Sequence, residues 1–188
     1  PFCETDSIDM ANSPYAVSKI CDEIFTQMYN RLYGNPVIGL RFFTVYGPRG
    51  RPDMAPYKFL QMIHNRESLT RYGDGSSSRD YTYIDDIVFG VVASMDKLVG
   101  LEGNEVDFHQ IYNIGNNYPV GLNKFIEICE NVVGKKANIV ELPNQMGDVP
   151  QTWANIDKIQ KDLGYQPRVE LEDGLQRTYQ WLVEYLEK

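Results

Sequence analysis

A helical period of apolar residues marks the first regular element of the chain, after a polar, turn-like opening over residues 1–12. Ser13 and Pro14 are residue types favoured at a helix N-cap and at the first helical position. From there apolar side chains recur every three or four positions, at Val17, Ile20, Ile24, Met28 and Leu32. Gly34 then tolerates the left-handed conformation that commonly ends a helix. The pattern predicts a helix over residues 14–33.

A nearly continuous apolar run over residues 37–43 follows and is typical of a parallel strand that is buried on both faces. A helix, a short loop and a buried strand make up half of a βαβ unit. A loop rich in glycine, proline and arginine comes next, at residues 47–53. The start of the chain therefore indicates an α/β fold.

The remaining patterns alternate between helical and extended segments. They predict helices at 57–64, 85–99, 122–133, 157–163 and 171–186. They predict strands at 69–72, 81–83, 110–114 and 137–142. Internal repeats, low-complexity segments and long linkers are not found in the sequence.

Charge and composition exclude some function classes. The net charge of −8 argues against non-specific nucleic-acid binding, which needs a basic surface. An anionic small ligand stays compatible, because a local arginine cluster dominates the field of one pocket. Three widely spaced cysteines fit free thiols better than a disulfide framework, and two histidines are too few for a histidine-based metal site. We assign no metal, since capping and the helix dipole explain the acidic pair Asp85 and Asp86.

Membrane and targeting signals are not visible in the sequence. No apolar run approaches the ~20 residues of a transmembrane helix, so we expect no membrane contact in this segment and a cytoplasmic location. The chain opens on Pro1, in a loop-like stretch, rather than on an initiator methionine. We therefore expect the natural N-terminus to lie elsewhere.

Tyr15 and Lys19 are the first candidates for chemistry. They lie four positions apart at the start of the predicted helix and so share one face. A lysine ammonium one turn away favours the phenolate of a tyrosine, whose ordinary pKa is about 10. Such a tyrosine can take a proton from a substrate hydroxyl. With 13 tyrosines in the chain, an ordinary surface pair is the alternative interpretation.

Six sequence blocks carry a resemblance to a known family. They are SPYAVSK at 13–19, LRFFTVYGP at 40–48, SRDYTYIDD at 78–86, YNIG at 112–115, GDVP at 147–150 and LGYQP at 163–167. In this order they resemble the extended short-chain dehydrogenases/reductases, a family of NAD-dependent epimerases and dehydratases. Within it the loop over residues 44–55 is most similar to that of the UDP-glucuronate 4-epimerases.

The resemblance implies a doubly wound, Rossmann-like parallel sheet with a smaller α/β substrate-binding domain. Residues 1–45 and about 80–115 would belong to the Rossmann-like domain, and about 46–79 and 116–188 to the substrate domain. The family's G-x-x-G-x-x-G turn and the Ser/Thr of its catalytic trio have no counterpart in this sequence. We therefore expect a C-terminal part without the N-terminal nucleotide-binding half, inactive by itself.

The resemblance also implies NAD as cofactor and gives three residues a place beside it. Tyr15 would be the catalytic acid/base, and Lys19 would bind the nicotinamide ribose and lower the pKa of Tyr15. Phe43 would lie beside the nicotinamide, with plain core packing as the alternative.

A UDP-sugar is the implied substrate. Thr44 and Arg51 would hold the uronate carboxylate, which must resist loss of CO₂ from a 4-keto intermediate. Arg79 would bind the diphosphate and Asp148 the uridine ribose. The remaining implied substrate contacts are Thr70, Arg71 and Tyr72 near the uracil, and Gln145, a position at which UDP-glucose 4-epimerases tend to carry Arg.

Several alternatives stay open at this point. They are a UDP-glucose 4-epimerase, which usually carries Asn in place of Thr44, a UDP-glucuronate decarboxylase, and a non-catalytic UDP-sugar-binding module. The corresponding structural interpretations are Arg51 as a solvated loop charge, Arg79 in a surface salt bridge to Asp80 or Asp85, and Asp148 as a turn residue. The family also implies a homodimer built through the helix that carries Tyr15 and Lys19.

Overall fold

The structure is a computed structural model that describes residues 1–8, 11, 13–101, 108–143 and 149–187. Its helices are α1 (Pro14–Tyr33), α2 (Ala55–Asn65), α3 (Ile84–Val99), α4 (Leu122–Val133), α5 (Asp157–Leu163) and α6 (Leu171–Leu186). Its strands are β1 (Val37–Phe42), β2 (Thr44–Tyr46), β3 (Ser68–Tyr72), β4 (Ser78–Tyr83), β5 (His109–Ile114), β6 (Pro119–Gly121) and β7 (Asn138–Leu142). The mixture of helices and strands confirms the predicted α/β class.

The first helix has the ends that its sequence predicts. The side chain of Ser13 accepts a hydrogen bond from the backbone N–H of Ala16 at 3.1 Å, and Pro14 occupies the first turn. Gly34 adopts a φ of 65° and donates its N–H to the carbonyl of Asn30. Across the described ranges, no helix is both long enough and apolar enough to span a bilayer.

Two short strands, β2 and β6, escape prediction from the sequence. Each has only three residues, which is too short for an alternating pattern to be recognised. Both lie beside turn-forming glycine or proline. They exist because β4 pairs with them, parallel to β2 and antiparallel to β6.

Parallel pairing dominates the strands. β1 pairs with β5, β2 with β4, and β3 with β7, all in parallel, while β4 and β6 are antiparallel. Parallel pairs need crossover connections, and helices supply them here. This is the arrangement expected for part of a doubly wound fold.

The pair formed by β1 and β5 lies between two layers of helices. Alternate side chains of a strand point to opposite faces. On one face of β1, the Nε of Arg41 lies 2.7 Å from a carboxylate oxygen of Glu23 on α1. On the other face, Ile38 and Leu40 pack against a core that includes Ile87 of α3. The carboxyl end of β1 is thus an edge of a helix–sheet–helix sandwich, where doubly wound folds bind ligands.

Two hydrophobic cores are found among the described residues. The smaller joins α3, α5 and β5 and buries Tyr112 and Ile159. The larger lies between α2, α4 and α6, where Leu60, Phe125 and Leu175 are fully buried. Because α5 contributes Ile159 to the core beneath β5, it packs with the Rossmann-like elements. The predicted division into two domains stays a prediction.

The first strand is less buried than its apolar sequence predicts. Its residues from Val37 to Arg41 are half-buried and Phe42 is exposed. In the part of the chain that the structure describes, β5 is the only strand paired with β1. The predicted burial on both faces is therefore only partly met: helices contact both faces of β1, but none of its residues is fully buried.

Candidate active site

Tyr15 and Lys19 lie on one face at the start of α1, as their spacing predicts. The Tyr15 side chain is 72% exposed, and the Nζ of Lys19 lies 5.7 Å from the centre of its ring. Lys19 also donates to a carboxylate oxygen of Asp22 at 2.7 Å. That hydrogen bond raises the pKa of Lys19, and Tyr15 adds a smaller electrostatic contribution in the same direction. The lysine is therefore held as a cation beside the phenol.

The loop between β2 and α2 carries Arg51, which has a minor electrostatic interaction with Tyr15. Two turns shape the loop, with the N–H of Gly50 donating to the carbonyl of Gly47 and that of Met54 to the carbonyl of Arg51, each at 3.1 Å. The guanidinium of Arg51 grips Asp53 with two hydrogen bonds of 3.1 and 2.5 Å.

This ion pair changes the protonation equilibria of both partners. The Arg51 hydrogen bond lowers the pKa of Asp53. The pKa of Arg51 is raised, chiefly by Asp53 and to a smaller extent by Tyr15. Arg51 is therefore within electrostatic reach of the Tyr15 phenol. Both side chains of the pair are largely exposed, so the pair is weak and its partner can be exchanged at little cost.

Phe43 and Thr44 follow the carboxyl end of β1. The N–H of Phe43 donates to the carbonyl of Ile114 at 3.2 Å, which fixes it beside the end of β5. Thr44 begins β2 and pairs with Tyr81 of β4. Both side chains are half-buried, so neither is locked into the interior.

The predicted diphosphate ligand Arg79 lies on β4, one residue after the start of the strand. Its side chain is half-buried, and one guanidinium nitrogen donates to the carbonyl of Ser78 at 2.8 Å. Asp85, one of the proposed surface partners of Arg79, lies 3.8 Å from Arg177. The strand that carries Arg79 is paired on both sides, by β2 and by β6.

The three residues predicted near the uracil lie on β3. Arg71 bridges two other elements, with one hydrogen bond of 2.9 Å to Asn123 of α4 and an ion pair with Glu141 of β7. Its Nε is buried and has no hydrogen-bond partner among the described residues. Thr70 is half-buried and Tyr72 exposed. The further predicted contacts Gln145 and Asp148 lie outside the described residues.

The interpretation of Asp80 as a surface partner of Arg79 is wrong, because Asp80 does not lie at the surface. Its side chain is fully buried, and its carboxylate accepts backbone hydrogen bonds from Asn116 at 2.8 Å and from Asn117 and Ala154 at 3.0 Å each. Burial raises the pKa of Asp80, and these N–H groups oppose that rise. The available signal was an acidic residue directly before a predicted strand, where a charge that becomes buried needs partners.

Asp86 also differs from its sequence interpretation. It was expected to act in capping α3, but its two carboxylate oxygens accept backbone hydrogen bonds from Arg168 and Val169, at 3.0 and 3.1 Å. Its place in the first turn of the helix still suits the helix dipole. Over the described ranges, no group of three or more His, Cys, Asp or Glu side chains is arranged to hold a metal ion.

The side chains of this candidate site suit three kinds of chemical group. An exposed phenol with a cation beside it suits proton exchange with a hydroxyl. A guanidinium within electrostatic reach suits a carboxylate. A half-buried aromatic ring at the end of β1 offers an apolar surface for a flat ring.

Known proteins are similar to this chain in sequence and in fold. A model of the family described as GDP-mannose 4,6 dehydratase matches residues 1–178. UDP-glucuronate 4-epimerase of Thermodesulfobacterium geofontis is 40% identical, over 100% of this chain and 55% of that protein. These matches confirm the resemblance drawn from the sequence blocks.

Solved structures agree. UDP-glucuronic acid 4-epimerase from Bacillus cereus, in complex with UDP-glucuronic acid and NAD, is 36% identical with a TM-score of 0.84, over 94% of this chain and 54% of that chain. UDP-glucose 4-epimerase from Thermotoga maritima, with UDP-glucose, is 28% identical with a TM-score of 0.84, over 94% of this chain and 55% of that one. The chain spans about half the length of the curated relatives that it matches.

Proposed function

The chain belongs to the GDP-mannose 4,6 dehydratase family, and from that premise we propose that it is the C-terminal part of a longer enzyme that interconverts UDP-glucuronate and UDP-galacturonate. One observation carries the proposal. The exposed Tyr15 has a cation, Lys19, on its own helix and a second, Arg51, within electrostatic reach. Relatives named as UDP-glucuronate 4-epimerases support this choice of substrate.

NAD is the proposed cofactor, and the residues present fit it. Lys19 offers ammonium donors to ribose hydroxyls, and Phe43 offers a half-buried ring beside the place for a nicotinamide. When bound, the cofactor would supply the chemistry of hydride transfer from C4 of the sugar and back to it. This part of the longer protein would contribute the nicotinamide side of the cofactor site.

Tyr15 is the proposed acid/base. It would take the proton of the sugar's 4-hydroxyl and give a proton back after the 4-keto sugar has turned its other face. The cationic Lys19 lies 5.7 Å from the centre of the Tyr15 ring. Its hydrogen bond to Asp22 orients the ammonium on the face of α1 that carries Tyr15.

The uronate carboxylate is the proposed partner of Arg51. A 4-keto uronate is a β-keto acid, which readily loses CO₂, so an epimerase must hold the carboxylate in an orientation that resists this. Exchange of Asp53 for the substrate carboxylate keeps Arg51 in a two-pronged ion pair. Thr44, half-buried at the start of β2, is the proposed hydroxyl donor beside it.

The nucleotide is assigned to residues further along the chain. Arg79 on β4 is the proposed diphosphate ligand, because a guanidinium matches phosphate geometry. The remaining assignments rest on the family resemblance alone: Thr70, Arg71 and Tyr72 near the uracil, Asp148 at the ribose, and Gln145.

A UDP-glucose 4-epimerase is the second candidate, because the Thermotoga maritima enzyme of that name shares the fold at a TM-score of 0.84. Its substrate has no carboxylate, so it would leave Arg51 paired with Asp53. The products from the two UDP-sugars separate the candidates, and release of CO₂ would identify a decarboxylase.

We also propose a homodimer through α1. Its inward side chains are largely polar, and its outward apolar side chains are exposed, among them Val17, Ile24, Phe25, Met28 and Leu32. An apolar stripe of this kind is typical of an interface. A cytoplasmic location remains the prediction made from the sequence.

Substitution of Tyr15 tests the proposal in the full-length protein. Tyr15→Phe removes the hydroxyl that exchanges the proton, so we expect turnover of UDP-glucuronate to fall at least about a thousandfold, within the range for loss of an acid/base group and its orientation. Tyr33→Phe on the same helix, also exposed, is the matched control and should be silent. Near-normal turnover by Tyr15→Phe would refute the assignment.

A further inference from the structure

The carboxylate of Asp80 is the meeting point of three separate segments. It belongs to β4, it accepts the N–H groups of Asn116 and Asn117 in the turn after β5, and it accepts the N–H of Ala154 from the segment that precedes α5. All three donors lie within 3.0 Å of the carboxylate oxygens. A buried carboxylate with several backbone donors is strongly oriented, because each lost hydrogen bond leaves an unsatisfied buried group.

The backbone around Asp80 lets these N–H groups come close to the carboxylate. Gly115 has no room for a side chain, since a Cβ there would overlap the side chain of Ala154 and lie 3.1 Å from an Asp80 oxygen. Asn117 adopts a left-handed φ of 55°, which asparagine tolerates better than most residues. The turn after β5 is therefore built around the carboxylate.

The segment that carries Ala154 is also fastened to the start of β4. The N–H of Ser78 donates to Pro150 at 2.9 Å, and the N–H of Thr152 donates back to Ser78 at 3.1 Å. The side chain of Gln151 donates to the hydroxyl of Ser78 at 3.0 Å. Residues 150–154 thus lie along the strand that carries Arg79.

Asp80 is also close along the backbone to Phe43 and Thr44, the residues proposed to lie near the nicotinamide and the sugar. The turn that it holds begins directly after Ile114, whose carbonyl receives the N–H of Phe43. One residue after Asp80, Tyr81 pairs with Thr44. These sugar-side contacts are backbone bonds between strands that do not use the carboxylate, so they should persist when Asp80 is substituted.

We propose that Asp80 is a positioning residue for the UDP moiety: its carboxylate fastens residues 150–154 and the turn after β5 to the strand that carries Arg79. The proposal rests on the proposed function, since it takes Arg79 as a ligand of the diphosphate. Asp80 itself is fully buried and touches no substrate. It acts by keeping the wall beside Arg79 in one place before the nucleotide arrives.

A loss in binding rather than in chemistry is the expected signature. Asp80→Asn keeps one acceptor oxygen, but its NH₂ group faces N–H donors and satisfies none of them. Residues 150–154 are then held less firmly, while Tyr15 and Lys19, which lie on α1, keep their contacts. The effect should appear in nucleotide affinity, with kcat nearly unchanged.

Asp86→Asn is a matched control. Asp86 is also a buried carboxylate that accepts backbone N–H groups, from Arg168 and Val169. The segment that it fastens, at Arg168 and Val169, is bonded to α3 and not to the start of β4, where Arg79 lies. Its loss should lower thermal stability in the same way as the loss of Asp80, without weakening UDP binding.

The experiment measures the Kd of UDP by calorimetry, together with kcat and KM for UDP-glucuronate, on the full-length protein. For Asp80→Asn we expect Kd and KM to rise about tenfold with kcat within about twofold, while Asp86→Asn leaves Kd within about twofold. If Asp80→Asn does not fold, Gln151→Ala decides. This exposed change loosens the same segment and should raise Kd about two- to threefold, by loss of one exposed hydrogen bond.

The outcomes separate this inference from the proposed function. A wild-type protein that binds UDP while neither Asp80→Asn nor Gln151→Ala changes Kd overturns the inference alone. Equal weakening by Asp80→Asn and Asp86→Asn also overturns it, because it would indicate a general loss of stability. A wild-type protein that does not bind UDP at all contradicts the proposed function and removes the basis of the inference with it.

Discussion

Arg51 is the residue that we propose to determine the substrate preference. Its guanidinium lies within electrostatic reach of Tyr15 and is engaged by Asp53, a carboxylate that a uronate can replace. An exposed ion pair contributes about 0–1 kcal/mol, so exchanging one carboxylate for another is inexpensive. A neutral sugar would gain nothing from this residue.

Substitution of Arg51 should therefore separate acidic from neutral substrates. For Arg51→Ala we expect kcat/KM for UDP-glucuronate to fall roughly tenfold to a hundredfold, the range for loss of charge-assisted hydrogen bonds. The value for UDP-glucose should change less than about threefold. Lys58→Ala, an exposed change on α2, controls for the loss of positive charge. An equal loss with both substrates would contradict the assignment.

Single residues differ in how well the sequence predicts them. The shared face of Tyr15 and Lys19 follows from their spacing alone, and the structure has it. Asp80 could not be interpreted in this way, because its partners are backbone groups of Asn117 and Ala154, far away in sequence. The fold has to be known before such a carboxylate can be assigned.

At the scale of elements, polar contacts attach α1 to the sheet. Glu23 forms two hydrogen bonds with Arg41 of β1, at 2.7 and 2.9 Å. Thr26 lies 3.1 Å from His109 of β5, and Asn30 donates to the carbonyl of Phe108 at 3.3 Å. These contacts fix where the helix lies, because polar groups in a partly buried contact must meet specific partners.

The helical period predicts α1 correctly but does not say what its apolar side chains meet. Ile20 is half-buried, whereas Ile24, Met28 and Leu32 on the outward side are exposed. The helical period shows only that one face of the helix is more apolar than the other. Which face contacts this chain and which contacts another part or copy is a tertiary property.

The contact between α1 and β5 should respond to pH through His109. Burial lowers the pKa of His109 below its usual 6.5, so the folded protein binds the proton more weakly than the unfolded chain. This difference in proton binding makes the folded protein more stable above pH 6.5. The gain in stability is lost as the pH falls through the lowered pKa of His109.

Urea unfolding between about pH 7.5 and 5 tests this, since the range spans the ordinary histidine pKa. The free energy of unfolding should fall more steeply with decreasing pH in the wild type than in His109→Gln. His64 is present in both proteins, so the comparison isolates His109. Parallel curves would mean that His109 makes no pH-dependent contribution.

At the scale of the whole molecule, exposed apolar side chains are most numerous on α1 and α3, and one more lies at the end of β1. Phe42 on β1, Ile24 on α1 and Met95 on α3 are all exposed. Surfaces of this kind are commonly buried against another part of a protein or a second copy.

The sequence predicted the α/β class and nearly every element, because these depend on local patterns. It could not predict which residues belong to which of the two hydrophobic cores, because that depends on contacts between distant segments.

A homodimer through α1 is the prediction at this scale. In the full-length protein, Ile24→Glu places a charge in the apolar stripe, so we expect analytical ultracentrifugation to show a shift from dimer towards monomer. Tyr185→Glu changes an equally exposed side chain on α6 and should leave the dimer intact. An unchanged dimer in Ile24→Glu would place the interface elsewhere.

Epimerisation at C4 with internal return of the hydride is the central claim, and proton NMR of the product formed in D₂O tests it most directly. The full-length protein should convert UDP-glucuronate into UDP-galacturonate that retains the original hydrogen at C4, because the hydride never exchanges with water. A protein that leaves UDP-glucuronate unchanged, releases CO₂ from it, or introduces deuterium at C4 would contradict the account.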